Sequence, residues 1–192
     1  REIPGNGIDD DGNGFVDDWR GWDFTNNDND PWDDHSQDGM DVQHGTFVSA
    51  IAAAGTNDGV GMAGVSWGSP VMALKVMDSN GYGLEDDAAA AVVYAADNGA
   101  KIINMSLTGE DAPALRAAIQ YAWSKGCLIV AASGNSGTSE DTYPASYPEV
   151  LSVGATNEYD QRCTAADWGQ GGSNYGSYLD VMAPGNNILS AT

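Results

Sequence analysis

The chain has 192 residues, 42% of them hydrophobic, which is enough for one domain with a sizeable core and too apolar for wholesale disorder. Its 28 acidic residues against 7 basic ones leave a formal net charge of -21. A field of that sign repels nucleic acid and anionic membrane surfaces, so neither is expected as a partner, and no apolar run approaches the ~20 residues of a membrane span.

Residues 1–43 come first and hold 13 of the 28 carboxylates, interleaved with Gly and Asn. Their weak periodicity reads as ordered loops rather than helix or strand. Within them, Asp9-Asp10-Asp11-Gly12-Asn13-Gly14-Phe15-Val16-Asp17 places side-chain oxygens of Asp9, Asp11, Asn13 and Asp17 where the front of an EF-hand-type calcium loop has them. Gly14 stands at the sharp turn, and the Phe15 carbonyl follows it. Arg20 occupies the place of the closing Glu, so Asp18 is expected to serve instead. Clustered carboxylates repel unless a cation neutralises them, which makes calcium the expected ligand. A second cluster, Asp23, Asp28, Asp30, Asp33 and Asp34, is on its spacing alone either a metal site or a solvated charge run. His35 among them looks incidental.

Regular alternation then begins. His44 to Ala54 is small and apolar enough for a buried helix. Val71 to Met77 reads as a strand, and Leu84 to Asp97 as an Ala-rich helix closed by Asn98-Gly99. Lys101 to Met105 is a strand. Ala112 to Ser124 is a helix with Pro113 in its first turn and Gly126 past its end. Cys127 to Ala132 is a strand without polar alternation, and Val150 to Val153 and Tyr178 to Met182 are short strands. Strands alternating with helices imply βαβ units and a mostly parallel sheet between helices. Sites in such sheets form at the carboxyl ends of strands, which points to Ser106-Leu107-Thr108-Gly109 and Ser133-Gly134-Asn135-Ser136-Gly137. His44, beside Gly45 at a helix start, reads either as a surface or capping residue or as an active-site base. The Asn135 amide could stabilise an oxyanion, or belong to an ordinary turn. Cys127 reads as a buried thiol, while Cys163 lies in a polar stretch; two cysteines do not make a disulfide framework, and pairing stays open.

Five segments carry a resemblance together and in order: His44-Gly45-Thr46-Phe47-Val48-Ser49, Ile102-Ile103-Asn104-Met105-Ser106-Leu107, Ala131-Ala132-Ser133-Gly134-Asn135, Tyr143-Pro144-Ala145-Ser146-Tyr147-Pro148 and Asp180-Val181-Met182-Ala183-Pro184-Gly185. They resemble the motifs of the subtilases, the subtilisin-like serine proteases, whose triad runs Asp, His, Ser in chain order. The resemblance implies a three-layer α/β fold and a secreted serine endopeptidase acting on peptide or protein substrates through an acyl-enzyme. It makes His44 the general base and Asn135 the oxyanion donor. Ser106, Leu107 and Thr108 would pair with an extended substrate, and Ala132, Ser133 and Gly134 would wall the pocket for the residue before the scissile bond. It adds a calcium loop at Thr56-Asn57-Asp58-Gly59-Val60-Gly61-Met62, with the Asp58 side chain and the carbonyls of Thr56, Val60 and Met62 as ligands, and it favours calcium at Asp23, Asp28 and Asp30.

Departures accompany the matches. Nothing before His44 has the family's D-T/S-G form, and no G-T-S-M-A nucleophile motif follows Leu189-Ser190-Ala191-Thr192. Gln43, Phe47 and Thr108 differ from the usual residues, and Gly169 to Gly172 looks like part of an insertion. The expectation is therefore a partial catalytic domain spanning residues 1–192, with acidic loops to 43 and an α/β core from 44. It lacks the family's N-terminal central strand and C-terminal helices. By itself it is expected to be inactive, because an oxyanion donor and binding alone leave only roughly 10³–10⁴-fold acceleration over water. A propeptide or self-association is the further expected partner. The rival reading is a non-catalytic, calcium-stabilised module that binds extended peptides or a partner protein.

Overall fold

The computed structural model describes residues 2–33 and 43–191. Asp34 and His35 lie outside the described residues. The chain forms two compact units, Arg1–Ala91 with Ser190–Thr192, and Val92–Leu189.

In the first unit a short strand β1 (Gly21–Asp23) is followed by helix α1 (His44–Ala53) and strand β2 (Ala73–Lys75). β1 and β2 pair in parallel, with Gly21 opposite Ala73, Trp22 opposite Leu74 and Asp23 opposite Lys75. The reading of residues 1–43 as loops is thus corrected at Gly21–Asp23. Three residues cannot express an alternation, and this strand is made by backbone pairing with a partner some fifty residues away. Gly21 is required there: its φ is 122°, and a Cβ would fall 1.8 Å from the Ala73 carbonyl oxygen. Buried Trp22 takes the edge of Phe15 at 4.9 Å, and Phe15 meets Phe24 at 5.9 Å, which gives the acidic N-terminal region a small aromatic centre. A second correction concerns α1. It forms where the sequence places it, yet none of its residues is buried. Small apolar side chains such as Ala50, Ala52 and Ala53 permit burial without requiring it.

Helix α2 (Glu85–Asp97) begins in the first unit and ends in the second. Glu85, Asp86 and Asp87 fill its first turn, where carboxylates favour the positive end of the helix dipole. The second unit continues with β3 (Ile102–Met105), α3 (Pro113–Ser124), β4 (Leu128–Ala132), β5 (Val150–Thr156), a one-turn helix α4 (Ala165–Trp168) and β6 (Val181–Pro184). Its sheet runs β3-β4-β5-β6, and all three pairings are parallel. The expected single sheet is therefore two parallel sheets among the described residues, of two and four strands.

Each strand of the larger sheet sends alternate residues to opposite faces. Ile103, Met105, Ile129, Ala131, Val150 and Ser152 form the buried face. α3 packs on β4 with a stripe of Leu115, Ala118, Ile119 and Ala122, the i, i+3, i+4, i+7 spacing of an amphipathic helix. Ile119 and Ile129 are fully buried, and each contributes about 1.5–3 kcal/mol of burial free energy. The other face carries Ile102, Leu128 and Val181, all exposed. Cys127 and Cys163 are both buried and free, which settles the open question of pairing. Among the described residues no helix is long and apolar enough to cross a membrane.

Candidate functional site

β4 ends at Ala132, and the chain turns through Ser133, Gly134 and Asn135. The turn is held from residues 172–174. Asn174, buried, accepts the N–H groups of Ser136 (2.9 Å) and Thr138 (3.3 Å) on its Oδ1. Its Nδ2 donates to Thr142 Oγ1 at 3.1 Å, and its own N–H donates to the Gly134 carbonyl at 2.9 Å. The Gly172 N–H donates to the carbonyl of Asn135 itself at 2.9 Å. Gly134 sits at φ 101°, and a Cβ there would lie 2.5 Å from Asn174 Nδ2. Only glycine allows that approach. The result is an immobilised backbone beneath an exposed Asn135.

Two further segments of the second unit adjoin this turn in the sequence pattern. After β3, Asn104 Nδ2 donates to Ser106 Oγ at 2.9 Å, and Gly109 pairs with Tyr143 through N–H to carbonyl bonds of 2.7 and 3.3 Å. Ser106, Leu107 and Thr108 therefore lie outside regular structure just beyond the carboxyl end of β3, with Thr108 exposed. Ser133 is buried; its N–H donates to Val153, and its carbonyl accepts the Tyr178 hydroxyl at 3.1 Å. The insertion read at Gly169–Gly172 is built on α4. Thr164 and Asp167 form a capping box, Gly169 closes the helix in the left-handed region, and the Gly171–Gly172 turn reaches the Asn135 loop. A cleft of about 630 Å³ is lined by Asn135, Ala155, Trp168, Gln170, Gly171 and Gly185.

His44 belongs to the first unit, where it is the first residue of α1 and is exposed. The helix has no side-chain cap from Gln43. Asp33 supplies one, accepting the Thr46 N–H at 2.7 Å and the Thr46 hydroxyl at 2.6 Å. Sequence spacing could not show this, since Asp33 precedes the helix by eleven positions.

The acidic residues expected to hold calcium fall, among the described residues, into three groups. Asp9 accepts the N–H groups of Gly12, Asn13 and Gly14, the fold of a loop wrapped around one carboxylate. Oxygens of Glu2, Asp9 and Asp11 lie within 4.8 Å of one another. Glu2 went unnoticed in the sequence because it reaches this loop only by folding back. It accepts the N–H groups of Asp10, Asp11 and Asp17. Asp17 turns away from the loop: its two oxygens accept from Asn6 and Gly7. Asp18 takes the Asn13 amide at 2.8 Å, and the Phe15 N–H bonds back to Asn13 Oδ1.

In the second group, Asp23, Asn26, Asp28, Asp30, Trp32, Asp33 and Lys75 line a cleft of about 260 Å³. Asp28 accepts the Asp30 N–H, and buried Asp23 accepts from Lys75 Nζ at 2.7 Å and twice from Asn26. Burial would raise the Asp23 carboxyl, but the Lys75 and Asn26 hydrogen bonds and the Lys75 charge outweigh it and leave it below its ordinary value. The third group is the Asp58 loop. There Asp58 accepts the Val60 N–H at 3.0 Å, and Asn57, Gly59 and Gly61 adopt positive φ, winding Thr56–Met62 into a tight exposed turn. Carboxylate oxygens are present in all three groups, a donor type that suits a hard cation such as calcium. Glu2, Asp9 and Asp11 converge most closely, with an oxygen of each within 4.8 Å of the others.

A model described as the subtilase family matches residues 5–192. The chain is 43% identical over 172 residues to a thermophilic serine proteinase of Bacillus sp. (strain AK1), covering 89% of this chain and 39% of that protein. It is 39% identical over 171 residues to thermitase of Thermoactinomyces vulgaris, covering 88% and 56%. Among solved structures, sphericase matches with a TM-score of 0.68 at 35% identity, over 77% of this chain and 54% of that one. The chain thus spans 39–56% of the length of these relatives.

Proposed function

Because the chain belongs to the subtilase family, we propose that it supplies the base and the oxyanion donor of a subtilisin-like serine endopeptidase. His44 takes the proton of a serine hydroxyl contributed from outside these 192 residues, as that oxygen attacks the scissile carbonyl. The carbonyl oxygen becomes an oxyanion and receives the Asn135 side-chain amide. His44 then gives its proton to the leaving amine, and a water molecule, deprotonated by His44, hydrolyses the acyl-enzyme. Ser106, Leu107 and Thr108 offer backbone to the extended peptide as an added strand, and Ala132, Ser133 and Gly134 wall the pocket before the scissile bond.

The observation that carries this reading is the fixed turn under Asn135. An oxyanion donor is effective only if it need not reorganise during reaction, and residues 172–174 hold Asn135 from both sides. The test is a serine-directed fluorophosphonate probe applied to the full-length product that contains this segment. Covalent labelling, abolished in a His44→Ala variant, is the expected result. A correctly folded product that stays unlabelled would overturn the protease reading.

Calcium is proposed as a structural ion, held by the Glu2, Asp9 and Asp11 oxygens, by Asp28 and Asp30, and by Asp58 with the carbonyls of Thr56, Val60 and Met62. It would neutralise carboxylates that otherwise repel. Lys75 already serves Asp23, so that residue is proposed to shape its cleft rather than to donate to the ion. A secreted location would expose these loops to millimolar calcium, the range in which weak extracellular sites bind it.

A further inference from the structure

We infer that Asn174 is a positioning residue: it sets the backbone of Asn135 so that the side-chain amide points at the developing oxyanion. The inference rests on the oxyanion role proposed for Asn135 above. Asn174 lies 39 positions beyond the residue it serves, and it belongs to none of the five motif segments.

The geometry singles it out. An asparagine side chain offers one acceptor and one donor group, and Asn174 uses both on the loop that carries Asn135. Oδ1 takes the N–H of Ser136, the next residue, and of Thr138. Nδ2 is fixed by Thr142 Oγ1, which keeps Oδ1 facing the two N–H groups. The main-chain N–H of Asn174 holds Gly134, the preceding residue. Positions 134 and 136 are therefore tied to one buried side chain and its backbone, and the Gly172 N–H ties the carbonyl of 135 between them. Rotation of the 135–136 peptide would break two of these bonds at once, and rotation of the 134–135 peptide would break the bond to the Gly134 carbonyl. Gly171 lets the two segments approach this closely, because a Cβ on it would stand 2.2 Å from the Asn135 carbonyl oxygen. Asn135 itself is exposed, so packing does not orient it. What orients it is this cradle.

The test joins an activity measurement with one that needs no activity. In the full-length product, Asn135→Ala is expected to lower kcat roughly 10²–10³-fold. Asn174→Ala is expected to lower kcat roughly 10–100-fold with KM changed less than about twofold, because a displacement near 1 Å suffices for that loss. In the Asn135→Ala background the same change should cost less than about threefold, since the residue it positions is gone. Asn174→Asp keeps both acceptor bonds and should recover most of the loss. An equal cost of Asn174→Ala in both backgrounds, or a loss confined to KM, would overturn the inference. In the 192-residue chain, hydrogen exchange at the Ser136 and Thr138 amides should speed up selectively in Asn174→Ala, while β4 amides such as Ile129 keep their protection. Unchanged exchange at Ser136 and Thr138 also overturns it. If Asn174→Ala fails to fold, Thr142→Val, which frees Nδ2, takes its place in both arms with a smaller effect of the same pattern. A proteolytic product in which Asn135→Ala leaves kcat unchanged refutes the oxyanion role instead, and the exchange arm then decides the cradle alone.

Discussion

Lys75 Nζ stands 2.7 Å from Asp23 Oδ2, with the two side chains only 9% and 1% exposed. The register explains the meeting: Asp23 and Lys75 are paired positions on parallel neighbours, so their side chains leave the small sheet on the same face. A buried pair of this kind adds little net stability when complete, but removing one partner strands a charge.

Lys75→Met is accordingly expected to destabilise the protein by about 3–5 kcal/mol at neutral pH, read as a fall in melting temperature. The pH dependence fixes the cause. The native Asp23 carboxyl lies below its ordinary value of 3.8. Its contribution is therefore complete above that value and is lost as pH falls through the lower native one. In Lys75→Met only burial and the Asn26 bonds remain, so protonation relieves the stranded charge. The gap between variant and wild type should narrow as melting is followed from pH 7 towards pH 3. A gap that stays constant would show that Lys75 acts through its aliphatic packing instead.

Tyr147 does for α3 what no capping side chain does. Ala112 precedes the helix and offers no side-chain cap; the Tyr147 hydroxyl accepts its N–H at 3.1 Å and donates to Asp111 Oδ1 at 2.8 Å. The tyrosine is buried, against Tyr143 at 4.7 Å. Tyr147→Phe keeps the ring and deletes both bonds, at an expected cost of about 1–2 kcal/mol in urea unfolding, the range for leaving a donor unmatched. Tyr147→Ala adds a cavity and should cost about 3–5 kcal/mol. Equal losses in the two variants would mean that the hydroxyl carries the whole effect and the ring none.

What could be read in the sequence was local. Pro113 and Gly126 bracket α3 because φ restriction and left-handed backbone act within a few residues. The apolar run Cys127–Ala132 read as a strand without polar alternation, and a strand forms at Leu128–Ala132, although Leu128 on its second face is exposed. Contacts that cross long stretches of chain were not legible. β1 exists because of β2, Asp23 is paired by a lysine 52 positions away, and Asn174 serves a turn on the far side of α4. Within the acidic loop, spacing named Asp9 and Asp11 but could not see that Glu2 folds back to join them. Nor could it see that Asp17 spends its oxygens on Asn6 and Gly7. An EF-hand-like pattern fixes which residues carry oxygen, whereas the direction each oxygen faces depends on the segments packed around it.

That distinction shapes the calcium prediction. Any ion bound only by the native state stabilises by mass action, about 2.7 kcal/mol when its concentration is 100 times the dissociation constant. For a chain of this size that corresponds to a rise of roughly 5–10 °C in melting temperature between excess chelator and saturating calcium. The carboxylates that converge should matter most. Asp11→Asn, which removes a charge from the Glu2, Asp9 and Asp11 group without changing its shape, should reduce the calcium-dependent rise. Asp17→Asn should lower stability with and without calcium alike, because Asp17 holds the Asn6–Gly7 turn. Removing a carboxylate also relieves repulsion in the ion-free protein, so Asp11→Asn is expected to melt slightly higher than wild type in chelator and lower in calcium. That crossing of the two curves distinguishes an ion site from a merely structural loop. Identical melting in chelator and calcium for the unmodified chain would remove calcium from the account altogether.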